Sequence, residues 1–185
     1  SGLSIKVVYD DPEIFDSRLA HYGNFKNANN LIIMAGDKNT DNDEKCGYYG
    51  EKIALYAQTL GLNTLTIQGE FCGPGIQRNR LRLVKPEWYV FTILENGKRV
   101  GLHRMQEICE ALDMPTVPVE EIGTDLPSKY PTVEALLDRA DGEYPKGGKK
   151  EGIVIRPVEP VFCPLISASL SMKVVSNKYL LKNDS

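Results

Sequence analysis

Two short β-branched runs, each carrying an ionisable residue, restrict this chain more than any other feature. Glu151 stands directly before Gly-Ile-Val-Ile in EGIVIRP, and Lys173 lies inside SMKVVSNKYLLK. β-Branched residues favour strands, where successive side chains alternate between two faces. A charge on such a run must reach solvent or meet an opposite charge, because burying it alone is costly. The runs therefore predict strands, with Glu151 and Lys173 facing the same sheet surface as Glu70 and Phe91. Lys173 is expected to be poorly solvated between Met172 and Val174, with Glu151 as its resting partner.

The rest of the chain punctuates itself clearly. LSIKVVYDD and NLIIMAGDK predict strands, and PEIFDSRLAHYG predicts a short helix. A longer helix is predicted within DNDEKCGYYGEKIALYAQTLGLN, stopped by Gly61. LTIQGEFCG predicts a strand, PGIQRNRLRLVKPE a basic loop, and WYVFTILENGKRV two strands about an Asn-Gly turn. LHRMQEICEALDM and YPTVEALLDRADG predict helices. PKGGKK reads as a flexible basic loop before EGIVIRPVE and LSMKVVSNKYLL, both predicted as strands. The fold class expected is α+β: a mainly antiparallel lobe with inserted helices, preceded by a small α/β segment.

A chain of 185 residues has room for one domain or two small lobes. Net charge is −3, so no global basic field points to nucleic acid. The balance is uneven, however. Residues 1–64 carry six Lys/Arg and nine Asp/Glu, and residues 65–185 carry sixteen of each, so a polyanion site must be a local cluster in the second part. Cys46, Cys72, Cys109 and Cys163 lie far apart without a C-x-x-C pair, which favours a reduced, cytoplasmic setting. No apolar run approaches the length of a membrane span, so no membrane association is expected.

Residues 65–185 place Glu70, Glu151, Arg156, Lys173 and Lys178 on predicted strands. Carboxylates and lysines converging on a sheet suit a nucleotide with a divalent metal, lysines on phosphate and acids on metal or ribose. The same charges fit solvated strand ends and an ordinary salt bridge.

The strings IQGEFCGPGIQRNRL, WYVFTI, EGIVIRP and SMKVVSNKYLLK, in this order, resemble the later motifs of ATP-dependent RNA ligases of the nucleotidyltransferase superfamily. The resemblance covers about Leu65 to Lys182. It implies that Glu70 contacts the adenosine ribose and that Phe91 stacks on adenine. It implies that Glu151 directs metal (Mg2+) and phosphate, that Lys173 holds the α-phosphate of ATP or AMP, and that Arg156 joins the nucleotide site. Val175 stands where some relatives carry a second lysine. Arg78, Arg80 and Arg82 form the best local phosphate patch for RNA ends, and an ordinary solvated loop explains them equally.

These ligases use a lysine nucleophile in K-x-D-G, normally upstream of the Gly-Glu motif. No lysine of residues 1–64 begins that string, nor do Lys98 or Lys149. Without it the covalent lysyl-AMP intermediate cannot form.

Residues 1–64 resemble something else. SGLSIKVVYDDPEIFDSRLAHYGNFKNANNLIIMAGDK and EKCGYYGEKIALYAQTLGLNT are similar to the middle of a small FMN-dependent nitroreductase. That resemblance implies flavin contacts from Tyr49, Gly50 and Glu51, and an oligomer that completes the site. A simple helix start, with Glu51 favouring the dipole, explains the same residues. The two resemblances meet near Asn63, Thr64 and Leu65. The chain therefore reads as a chimera, with a nitroreductase-like segment at 1–64 and an RNA-ligase-like lobe at 65–185. Three functions follow as expectations: an incomplete adenylyltransferase lobe, a flavin-binding oxidoreductase fragment, or a non-catalytic chimera.

Overall fold

The computed structural model describes residues 3–10, 26–28, 31–35, 52–76 and 78–183. The helix expected over residues 12–23 and the flavin candidates Tyr49, Gly50 and Glu51 lie outside them.

The chain packs as two compact units, one of residues 2–72 with 87–117, the other of residues 73–86 with 118–185. The first is built on a six-stranded antiparallel sheet of order β2-β3-β1-β4-β5-β6. Its strands are β1 (Leu3–Asp10), β2 (Lys26–Ala28), β3 (Leu31–Ala35), β4 (Thr64–Cys72), β5 (Glu87–Glu95) and β6 (Lys98–Arg99). β1 pairs with β4 along its whole length, from Leu3 opposite Phe71 to Asp10 opposite Thr64. One sheet thus takes strands from both sides of residue 64.

Local chemistry explains each boundary. The helix over residues 52–59 buries Ile53 and Ala57 four apart, on one face. It ends in a Schellman motif: the Leu62 N–H donates to the Ala57 carbonyl at 2.9 Å and the Gly61 N–H to Gln58 at 3.1 Å. Gly61 takes the left-handed φ of 63° that this ending needs. Asn96 and Gly97 turn β5 into β6 with φ of 49° and 77°, the positive angles of a type I′ hairpin. The helix Leu102–Ala111 buries Met105, Ile108 and Cys109 and packs against β5. Leu65, Ile67, Trp88, Val90, Ile93 and Ile108 complete the core. Each fully buried aliphatic side chain contributes about 1.5–3 kcal/mol.

The second unit contains two antiparallel pairs. β7 (Gly152–Ile155) pairs with β10 (Met172–Val175), and β8 (Phe162–Cys163) pairs with β9 (Ala168–Ser169). The helix Val133–Ala140 packs on β7 and β10, capped by Thr132, whose hydroxyl accepts from the Ala135 N–H at 3.2 Å. A short helix, Leu126–Lys129, precedes it. The run expected as one long strand, LSMKVVSNKYLL, instead ends at Val175 and continues as the helix Asn177–Asn183. Ser176 is the reason. Its hydroxyl accepts from the Tyr179 N–H at 3.2 Å, an N-cap bond that starts a helix and offers nothing to a strand. PKGGKK also departs from expectation. It closes a tight hairpin in which Gly142 pairs with Lys150, Glu143 with Lys149 and Tyr144 with Gly148.

Candidate nucleotide site

Glu151 and Lys173 meet, as the two opening strings predict. The Lys173 ammonium donates to Glu151 Oε1 at 2.8 Å. β7 and β10 set Lys173 opposite Val154 and Val175 opposite Gly152. Glu151 stands one residue before the ladder, and its carbonyl accepts from the Ser176 N–H at 2.9 Å. The glycine of EGIVIRP has a steric cause, since a Cβ on Gly152 would lie 2.0 Å from the Val174 carbonyl oxygen. No other residue permits that approach. One expectation needs correcting: the Lys173 side chain is 57% exposed, so water as well as Glu151 solvates it. The apolar neighbours Met172 and Val174 do not enclose it, because this two-stranded ladder leaves one face open.

Burial raises the Glu151 carboxyl pKa, but the lowering by its partners, the Lys173 ammonium foremost, prevails. The carboxylate is held below its ordinary range. Behind the pair lies a group that the strings did not reveal. Ser176, buried to 1% exposure, donates to Asp141. Asp141 also meets the Lys178 ammonium at 2.9 Å, and its pKa is lowered first by the Ser176 bond and then by Lys178. Lys178 therefore sits on a helix as the partner of Asp141, away from the strand position expected for it. Arg156 follows β7, is exposed, and donates from Nε to Ser171 Oγ at 3.1 Å.

Arg78, Arg80 and Arg82 stand on a loop of the same unit. Arg78 and Arg82 are exposed and Arg80 is half-buried, its guanidinium 4.5 Å from the Tyr179 ring centroid.

Glu70 and Phe91 belong to the other unit, on β4 and β5, and so to a different sheet from the β7–β10 pair that carries Lys173, which corrects the expectation of one shared sheet surface. Glu70 lies directly opposite Tyr89, so both point to one face. A register shift sets Gln68 opposite Thr92 and Gly69 opposite Val90, so Phe91 falls at a bulge in the ladder. Both Glu70 and Phe91 are half-buried, while Trp88 and Val90 on the opposite face are fully buried. Gly69 makes this arrangement possible, since a Cβ there would lie 2.4 Å from Trp88 Nε1 and 2.6 Å from the Tyr89 carbonyl oxygen. Tyr89 was not legible in advance. Its hydroxyl donates to Glu87 Oε2 at 2.6 Å, and burial followed by that bond raises its pKa, so it stays a neutral donor. Beside it, burial and then Glu70 push the Cys72 thiol up to about 11. Among the described residues no group of three or more His, Cys, Asp or Glu gathers as a metal site.

Comparison with known proteins gives two separate likenesses. A family model described as "Putative TM nitroreductase" matches residues 1–81. Naegleria gruberi RNA ligase with pyrophosphate superposes at TM-score 0.68 and 21% identity, over 100% of this chain and 49% of that one. A variant of that ligase with ATP and manganese gives TM-score 0.69 and 21% identity, over 100% and 50%. A variant with AMP and manganese gives 0.67 and 21%, over 98% and 48%. The chain therefore spans about half the length of these ligase chains. None of the curated proteins matches the sequence. Residues 1–81 thus resemble a nitroreductase in sequence, and the chain has a mixed α and β, antiparallel fold similar to part of these RNA ligase chains.

Proposed function

We propose that this chain is an RNA-ligase-like nucleotidyltransferase lobe that binds ATP or AMP and engages RNA ends. The observation that carries the reading is the Lys173–Glu151 contact at 2.8 Å beside a strand ladder, within that fold. In this reading Lys173 exchanges Glu151 for the α-phosphate of the nucleotide. Glu151, once released, would hold a divalent cation such as Mg2+. A single carboxylate suits that ion, which keeps most of its waters and takes its other ligands from phosphate oxygens. The cation would neutralise phosphate charge. Arg156 takes a phosphate. Arg78, Arg80 and Arg82 take the RNA backbone.

The chain holds no K-x-D-G lysine, so self-adenylation is not part of the proposal. The reaction left to it starts from an RNA end that already carries AMP. A 3′-hydroxyl attacks the 5′-phosphorus, the phosphodiester forms, and AMP leaves. We assign the nitroreductase-like segment to residues 1–64, the ligase-like lobe to residues 65–185, and the setting to the cytoplasm. No described helix is long and apolar enough to cross a membrane.

Calorimetric titration with AMP and magnesium tests the reading. Lys173→Ala is expected to weaken binding about 10- to 100-fold, the range for losing a charged hydrogen bond. Lys129→Ala, which removes one partner of Glu121, is expected to leave it unchanged. Equal affinities would reject the site. Incubation with labelled ATP is expected to leave the protein unlabelled.

A second reading, an FMN-binding oxidoreductase fragment using Tyr49, Gly50 and Glu51, is favoured by the nitroreductase match over residues 1–81. Flavin absorbance bands in the purified protein would support it, and their absence would count against it.

A further inference from the structure

The Gly-Gly turn of PKGGKK and the arginine loop are built against each other. Residues 73–86 carry four cations and no acid, and residues 143–150 add three lysines against one glutamate. The hairpin is tightly specified. The Gly147 N–H donates to the Tyr144 carbonyl at 2.8 Å, the Tyr144 N–H to Gly148 at 2.9 Å, and the Lys150 N–H to Gly142 at 2.9 Å. Gly147 and Gly148 have φ of 85° and 100°, values that side chains resist.

The two glycines also set how near the loops come. A Cβ on Gly148 would lie 2.5 Å from the Arg80 carbonyl oxygen. A Cβ on Gly147 would lie 2.8 Å from Arg82 Nη1 and 2.9 Å from its Cζ. The Arg82 guanidinium therefore rests on the bare backbone of Gly147. The arginine loop is stiffened from its own side: the Asn79 amide accepts from the Leu83 N–H and donates to the Leu83 carbonyl, both at 3.0 Å. The Arg82 N–H donates to the Asn79 carbonyl at 2.9 Å. Arg80 is fixed over Tyr179. Lys149 and Lys150 are held by Glu143 and Glu120 at 2.7 and 2.5 Å, whereas Arg78, Arg82 and Lys146 are exposed.

We propose that these two loops form one preorganised rim for the phosphodiester backbone of single-stranded RNA, with Gly147 and Gly148 as positioning residues that set the cation spacing. This rests on the function proposed above and deepens it. Cations strung along two loops match a ligand whose charges repeat, better than a lone phosphate that needs one convergent pocket. Guanidiniums fixed by packing lose little further freedom on binding, which favours affinity.

The test is fluorescence anisotropy with a short single-stranded RNA bearing a 5′-phosphate and a 3′ label, over a range of salt. Arg78→Ala, Arg82→Ala and Lys146→Ala are each expected to weaken binding about threefold to tenfold and to reduce the salt slope by about 0.7. Gly148→Ala removes no charge, yet is expected to reduce the slope similarly by parting the loops. Gly123→Ala, whose added Cβ would meet only Glu121 Oε1 at 3.7 Å, is expected to change nothing. Circular dichroism checks folding, and if Gly148→Ala unfolds, Lys146→Ala carries the hairpin side of the test. An unchanged slope in both hairpin variants overturns the rim, as does tighter binding to duplex RNA or to anionic vesicles. Parallel AMP titrations separate the two proposals. AMP binding without RNA binding overturns the rim alone, and RNA binding of the expected slope without AMP binding overturns the nucleotide reading alone.

Discussion

Asn96 ties the β5–β6 turn to the start of β4: its Oδ1 accepts from the Asn63 N–H at 2.8 Å and the Thr64 N–H at 3.1 Å. The Asn96 N–H donates to the Thr64 carbonyl at 2.9 Å. Asn63 and Thr64 lie within the stretch of residues 1–81 that the nitroreductase family model matches. Asn96→Ala would leave two donors without this acceptor and place alanine at a φ of 49°. The expected loss is about 2–3 kcal/mol, from the hydrogen bonds and the left-handed backbone together. The midpoint of urea unfolding measures it.

Gly69 and Trp88 give a second prediction. A methyl group at Gly69 must displace a buried indole whose residue is 2% exposed. Gly69→Ala is expected to cost about 1–3 kcal/mol by overpacking and to shift the fluorescence of the single tryptophan. Combining it with Trp88→Phe should recover part of that loss. A strictly additive double variant would show that the two residues are not coupled.

The Glu151–Lys173 pair predicts a direction in pH. The folded pKa of Glu151 is depressed, so the pair stabilises the fold above the unfolded carboxylate value, roughly 4.3. That contribution is lost as pH falls through the folded value. The stability difference between the parent and Lys173→Met should be largest near neutrality and shrink toward about pH 3. It should not exceed about 1 kcal/mol, because the ammonium is largely exposed and screened. A difference that grows on acidification would contradict the pairing.

The cysteines should differ sharply in reactivity. Burial, with Glu70 adding to it at Cys72, pushes the thiols of Cys72 and Cys109 up to about 11. Near pH 8 both remain protonated and shielded, while Cys163 is half-exposed. Among the three described cysteines, site-resolved mass spectrometry after brief alkylation should find Cys163 modified first, and Cys72 and Cys109 only after denaturant is added.

Local residue chemistry determined the strand runs, the Asn-Gly turn, the Gly61 helix end and the charge pair of Glu151 and Lys173. Each depends on neighbours a few residues away or, for the pair, on one ladder between two apolar strings. Only the tertiary structure decided what depends on distant backbone. β1 lies between β3 and β4, which joins both sides of residue 64 in one sheet. Ser176 ends β10 because its hydroxyl is committed to the next helix and to Asp141. Gly69, Gly148 and Gly152 look alike in the sequence, yet each is required by a different remote neighbour: Trp88, Arg80 or Val174. A glycine's need is written in the atoms that would meet its Cβ, and folding alone brings those atoms there.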